Sequence, residues 1–151
     1  MIYFLDTSAL LKRYVEEEGS EYIRQLLERP DLSFHQSFLT PLEMTSALYR
    51  RHRSGLLSNQ ELVQILNAYT THTQDRYATI LHSNSLMTLA ASLIARHPLR
   101  TLDTIQLAAA LTLQSTFPQD ASPLTFVSAD DRLIAVAQQE HLLAENPNNH
   151  S

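Results

Sequence analysis

At 151 residues the chain fits one domain large enough to bury its own core, and it holds no cysteine, which excludes disulfides and thiolate metal sites. Two glycines, Gly19 and Gly55, are too few for a glycine-rich phosphate cradle, and no apolar run nears the ~20 residues of a membrane span. The net charge of −5 argues against a simple nucleic-acid binder unless the acids are gathered in a site.

Ile2, Tyr3, Phe4 and Leu5 form an unbroken apolar run, the pattern of a strand buried on both faces. Asp6 ends the run, and Ala9 to Arg13 read as a short helix. The N-terminus has no basic stretch ahead of its apolar run, so it reads as a strand and not a signal peptide. Val15 to Glu18 read as an acidic linker. Gly19 and Ser20 start a helix to about Arg29, which Pro30 stops. Leu32, Phe34 and Gln36 suggest a second strand.

Thr40, Pro41 and Glu43 predict a helix start, with Thr40 as N-cap, Pro at the first helical position and Glu43 closing a capping box. That helix runs to about Arg53. Ser58 and Glu61 form a second capping box, which opens a helix to about Thr73. The two helices are expected as an antiparallel hairpin turning at Gly55. Tyr77 to Leu81 read as a third strand and Asn84 to Arg96 as a helix. Asp103 to Gln114 read as a helix apolar almost all round, hence central and buried. Leu124 to Val127 repeat the opening design: an apolar run, then Ser128, Ala129, Asp130 and Asp131, then a helix over Arg132 to Gln139. His141 to Ala144 read as a last edge strand, and Glu145 to Ser151 as a disordered tail. Strands alternating with helices predict a parallel α/β sheet.

Asp6, Glu43, Asp103 and Asp130 each have a structural explanation as helix caps. Together they have another. All four sit at or near helix N-termini, and two directly follow buried strands. In a parallel sheet these positions share one edge, the edge where such folds hold ligands. Four converging carboxylates repel one another, and a cation between them relieves this. Oxygen-only ligands select a hard ion, Mg²⁺ or Mn²⁺, whose common use is phosphate chemistry. Setting these four apart from the 16 acids leaves 12 against 11 basic residues, so the remainder is nearly neutral. Thr7, Ser8 and Ser128 stand close in sequence to the acids and either orient a carboxylate or make ordinary turns. Arg50, Arg51, His52 and Arg53 are either a solvated helix C-terminus or a phosphate-contacting edge, with Arg50 two turns along the helix from Glu43. Lys12 and Arg13 are candidates to join that edge. The seven scattered histidines read as structural or surface residues.

FLDTSALLKRY at the start, Glu43 after the second strand, LRTLDTIQLAAAL in the middle and FVSADDRL near the end resemble the PIN domain, and more narrowly the VapC-type toxin ribonucleases of toxin–antitoxin pairs. The resemblance spans nearly the whole chain. It implies a three-layer α/β/α sandwich around a parallel sheet of four to five strands, with a single domain over 1–147 and a tail over 148–151. It implies a cytoplasmic Mg²⁺- or Mn²⁺-dependent endoribonuclease acting on RNA, a short antitoxin partner and a homodimer. Asp6 and Asp103 match the surest metal ligands, and Glu43 and Asp130 would complete the site. Asp131 adjoins the last motif as a possible substitute. Gln106 stands where relatives often carry His, which weakens any role for that side chain. Two other readings are a catalytically silent PIN-like binding module and an aspartyl-phosphate phosphatase. The latter wants a second Asp two residues after Asp6, where this chain has Ser8.

Overall fold

A computed structural model describes residues 1–121 and 123–150. Five strands, β1 (Ile2–Leu5), β2 (Ser33–Ser37), β3 (Tyr77–Ile80), β4 (Thr125–Val127) and β5 (Leu143–Glu145), form one sheet in the order β3-β2-β1-β4-β5. Every pairing is parallel. The helices are α1 (Thr7–Leu10), α2 (Ser20–Glu28), α3 (Thr40–Arg53), α4 (Asn59–Asp75), α5 (Asn84–Arg96), α6 (Thr101–Gln114) and α7 (Asp131–Gln139). This is the α/β/α sandwich expected.

The layering follows from the period-two alternation of the first strand. Tyr3 and Leu5 face one side, where they pack with Leu10, Ile23, Leu27, Met44 and Leu48. Phe4 faces the other, stacked on Phe126 at 5.8 Å between ring centroids, among residues of α5, α6 and α7. Helix α6 is buried from Thr104 through Ala110, in line with its apolar circumference.

Four details depart from expectation. Thr40 lies inside α3 and is not its cap: Leu39 takes the cap position without a side-chain bond. The Thr40 hydroxyl turns inward to Ser37 and Gln106 instead. Helix α6 begins at Thr101, so Asp103 lies in the first turn and caps nothing. The stretch after α1 is no free linker, because Val15 is buried and Glu17 bridges Lys12 at 3.1 Å and Arg51 at 2.9 Å. Residues 145–150, expected as a tail, stay on the fold. Leu143–Glu145 adds the fifth strand, and Pro147–Asn149 forms a 3-10 turn. The Tyr22 hydroxyl donates to Glu145, and the Tyr22 ring stacks on His150. Gly19, at φ +81°, makes room for this turn, since a Cβ there would meet the Pro147 carbonyl at 2.8 Å. Ser151 lies outside the described residues.

Candidate active site

The parallel order puts the ends of β1 and β4 side by side. Leu5 pairs with Val127, and the Asp6 N–H donates to the Val127 carbonyl at 3.0 Å. Asp6 and Ser128, each the first residue past its strand, therefore emerge together. Ser8 donates to Asp6 Oδ1 at 2.6 Å, Ser128 donates to Oδ2 at 2.7 Å, and the Ala9 N–H donates to Oδ1 at 3.1 Å. The two serines are themselves held by the loop after β4: the Ala129 N–H donates to Ser8 and the Asp130 N–H to Ser128. Asp6 does cap α1, as the structural reading has it. It is also only 4% exposed, and all three of its donors are neutral. Burial therefore pushes its carboxyl up, from 3.8 to about 6, despite the three hydrogen bonds that hold it down.

Glu43 behaves differently from its expected capping role. It accepts from Thr7 Oγ1 at 3.0 Å and from Gln106 Nε2 at 2.7 Å. Gln106 also reaches Thr7 and Thr40, so this one amide joins α1, α3 and α6. Its carbonyl oxygen is buried and meets no partner among the described residues. The carboxyl of Asp103 is raised, first by burial and then by the charges of Asp130 and Glu43. Asp130 caps α7 through the Arg132 N–H at 2.9 Å. Asp131 turns away and accepts from Asn146 at 2.8 Å, so it is tied to the C-terminal turn.

Asp6, Glu43 and Asp103 line one cavity of about 270 Å³ together with Thr7, Ser8 and Gln106. Arg50 stands on its wall. Asp130 lies in the adjoining depression, which shares Asp103 and adds Arg100 and Arg132. Among the described residues no three Asp, Glu or His groups converge closely enough to hold an ion as they stand. The donor set still suits a hard cation: the candidates are all carboxylates, one is buried without a cationic partner, and another is raised by its acidic neighbours. The basic stretch at the end of α3 is divided. Arg50 faces the acids, Arg51 pairs with Glu17, His52 bonds the Leu57 carbonyl, and Arg53 lies over the Tyr49 ring. Lys12 is buried against Glu17 and the Glu18 carbonyl and is not part of a phosphate edge. Sequence reasoning passed over Arg100 and Arg132. Their one signal was spacing, since each lies two or three residues from an acid of the site.

An all-parallel five-stranded sheet between helix layers, with acids gathered past its strand ends, is the architecture of a carboxylate-site α/β domain. Residues 3–139 match the PIN domain, and the chain belongs to that family. No curated protein matches it. Solved structures share its fold across nearly the whole length. VapBC2 from Rickettsia felis, bound to a DNA fragment from its promoter, matches with a TM-score of 0.66 at 14% identity, over 97% of this chain and 98% of that one. VapBC-1 from nontypeable Haemophilus influenzae matches with a TM-score of 0.63 at 16% identity, over 97% and 98%. A toxin–antitoxin complex from Klebsiella pneumoniae matches with a TM-score of 0.62 at 14% identity, over 96% and 97%.

Proposed function

We propose that this protein is a Mg²⁺- or Mn²⁺-dependent endoribonuclease and the toxin of a type II toxin–antitoxin pair. The observation that carries this reading is Asp6: a carboxylate at the carboxyl end of the central strand, buried and oriented by three donors, with no cationic partner among the described residues. Asp6 and Asp103 would hold the metal, with Glu43 and Asp130 completing the set. Bound there, a divalent ion supplies Lewis acidity and a water of lowered pKa.

The chain's own groups do the positioning. Ser8 and Ser128 fix both oxygens of Asp6, so the carboxylate presents a constant face to the cavity. Thr7 and Gln106 hold one oxygen of Glu43 and leave the other without a protein donor among the described residues. The nucleophile is water, the P–O3′ bond breaks, and the products carry a 5′-phosphate and a 3′-hydroxyl. Family membership and the fold shared with VapBC complexes support a short antitoxin as partner, and a homodimer is the working form we propose with it. A cytoplasmic setting belongs to the same reading, as the place where a toxin of this kind would meet RNA.

The test is cleavage of a mixed pool of structured and single-stranded RNA by the wild type and by Asp6→Asn, with and without Mn²⁺. Cutting that needs both the metal and Asp6 is the expected result. Cutting by Asp6→Asn at the wild-type rate overturns the assignment. No cutting together with no metal binding by calorimetry returns the chain to a silent binding module.

A further inference from the structure

The chain has 11 Lys and Arg residues, and most are committed to the fold. Lys12, Arg24, Arg29, Arg51 and Arg96 are in ion pairs. Arg76 donates to the Leu27 carbonyl and covers the Phe34 ring, and Arg53 covers Tyr49. Arg13 lies against the Tyr14–Tyr77 pair. That leaves Arg50, Arg100 and Arg132. Among the described residues their guanidinium groups make no hydrogen bond, ion pair or ring contact, Arg100 acting on Asp103 through its charge alone, and all three are exposed. Each lines a depression that holds Asp103.

These depressions adjoin one another through shared residues. The cavity of Asp6 and Glu43 shares Asp103 with the depression of Arg100 and Arg132. Through Leu11, Ala47 and Arg50 it adjoins a further depression that includes Leu56. Arg100 and Arg132 thus adjoin the acids through Asp103, and Arg50 adjoins them within the Asp6 cavity. An acidic centre in a chain of net charge −5 repels a polyanion; a bound divalent ion offsets this at the scissile phosphate only, so neighbouring phosphates depend on cations at the flanks. The uncommitted cations lie on both flanks.

We propose that Arg50 on one side, and Arg100 with Arg132 on the other, form a track that holds the phosphates of single-stranded RNA on both sides of Asp103. This deepens the nuclease reading and rests on it. It makes the substrate an interior stretch of a strand, bound through its backbone. A dinucleotide, with its single phosphodiester at the acids, gains nothing from the track.

The test measures binding of a labelled single-stranded RNA of about a dozen nucleotides by fluorescence anisotropy, from about 0.05 to 0.2 M salt. The full chain is used in the Asp6→Asn background with Mg²⁺ present, so that the strand is not consumed. Arg50→Gln, the pair Arg100→Gln with Arg132→Gln, and all three together are compared with that parent. Arg29→Gln, an equal charge change at a surface ion pair, is the control. Each arginine removed from the track should flatten the slope of log affinity against log salt by about 0.7, and the triple variant by about 2. The control should leave it unchanged. A triple variant with the parental slope, a control that flattens it equally, or a parent that binds no RNA overturns the track. Parallel cleavage by the wild type with Mn²⁺ separates the two ideas. Cutting with an unaltered slope removes the track alone, and a flattened slope without cutting removes the nuclease alone.

Discussion

Asp6 and Lys12 are six residues apart, and both are 4% exposed. Their surroundings are opposite. The ammonium of Lys12 meets the Glu17 carboxylate at 3.1 Å and the Glu18 carbonyl at 2.7 Å, and Glu17 is in turn paired with Arg51. The chain neutralises this charge itself. The carboxylate of Asp6 meets two hydroxyls and one amide, which orient it without neutralising it. A buried charge without a counter-charge is costly, and the raised Asp6 carboxyl carries that cost. The Lys12 cluster is architecture, whereas Asp6 is the carboxylate on which the proposed cation site rests.

Breaking the self-neutralised side has the largest effect. Lys12→Ala strands the Glu18 carbonyl and half of Glu17, and should cost roughly 3 kcal/mol in denaturant unfolding. A loss under about 1 kcal/mol would mean that Lys12 is not a structural charge. Completing the other side comes next. Mn²⁺ at about 100 times its dissociation constant should stabilise the wild type by about 2.7 kcal/mol, seen as a melting shift of roughly 5–10 °C that EDTA reverses. Asp6→Asn should show no such shift.

The third effect sharpens the contrast through pH. The folded chain holds the Asp6 proton up to about 6, whereas the ordinary value is 3.8. Between those values the folded state binds more protons than the unfolded one, so metal-free stability falls as pH rises through that window and stays lower above it. Asp6→Asn escapes this loss. Without metal it should be more stable than the wild type at pH 7.5, by roughly 2 kcal/mol, and the advantage should vanish near pH 4. An advantage independent of pH would assign it to something other than the buried charge. The smallest effect is that of Ser128→Ala, which removes one neutral donor and should cost about 1 kcal/mol at neutral pH while lowering Mn²⁺ affinity in calorimetry.

Much of this contrast is legible in the sequence, and the rest is not, for physical reasons. Two apolar runs that each end near an acid place Asp6 and Asp130 on one edge, because parallel strands admit little else. The capping box of Ser58 and Glu61 forms as read, being a contact over three residues. The apparent box of Thr40 and Glu43 does not, because Gln106, 66 and 63 residues away, competes for both side chains. No local pattern encodes that competition. The departure from His at Gln106 reads as a weakness in one dimension, yet in the fold the amide joins three helices. The C-terminal residues are polar and carry no periodicity, so nothing local distinguishes them from a tail. Their order comes from Gly19 and Tyr22, in the first fifth of the chain.

The hydrogen bond from Ser128 to Asp6 closes a span of 122 residues. A ribosome adding about 5–20 residues per second releases Asp6 on the order of ten seconds before Ser128 exists. Throughout that interval the central strand lacks its β4 neighbour, and the carboxylate lacks half of its orienting pair. The topology thereby builds in a delay: the site comes together only once Ser128 has been made.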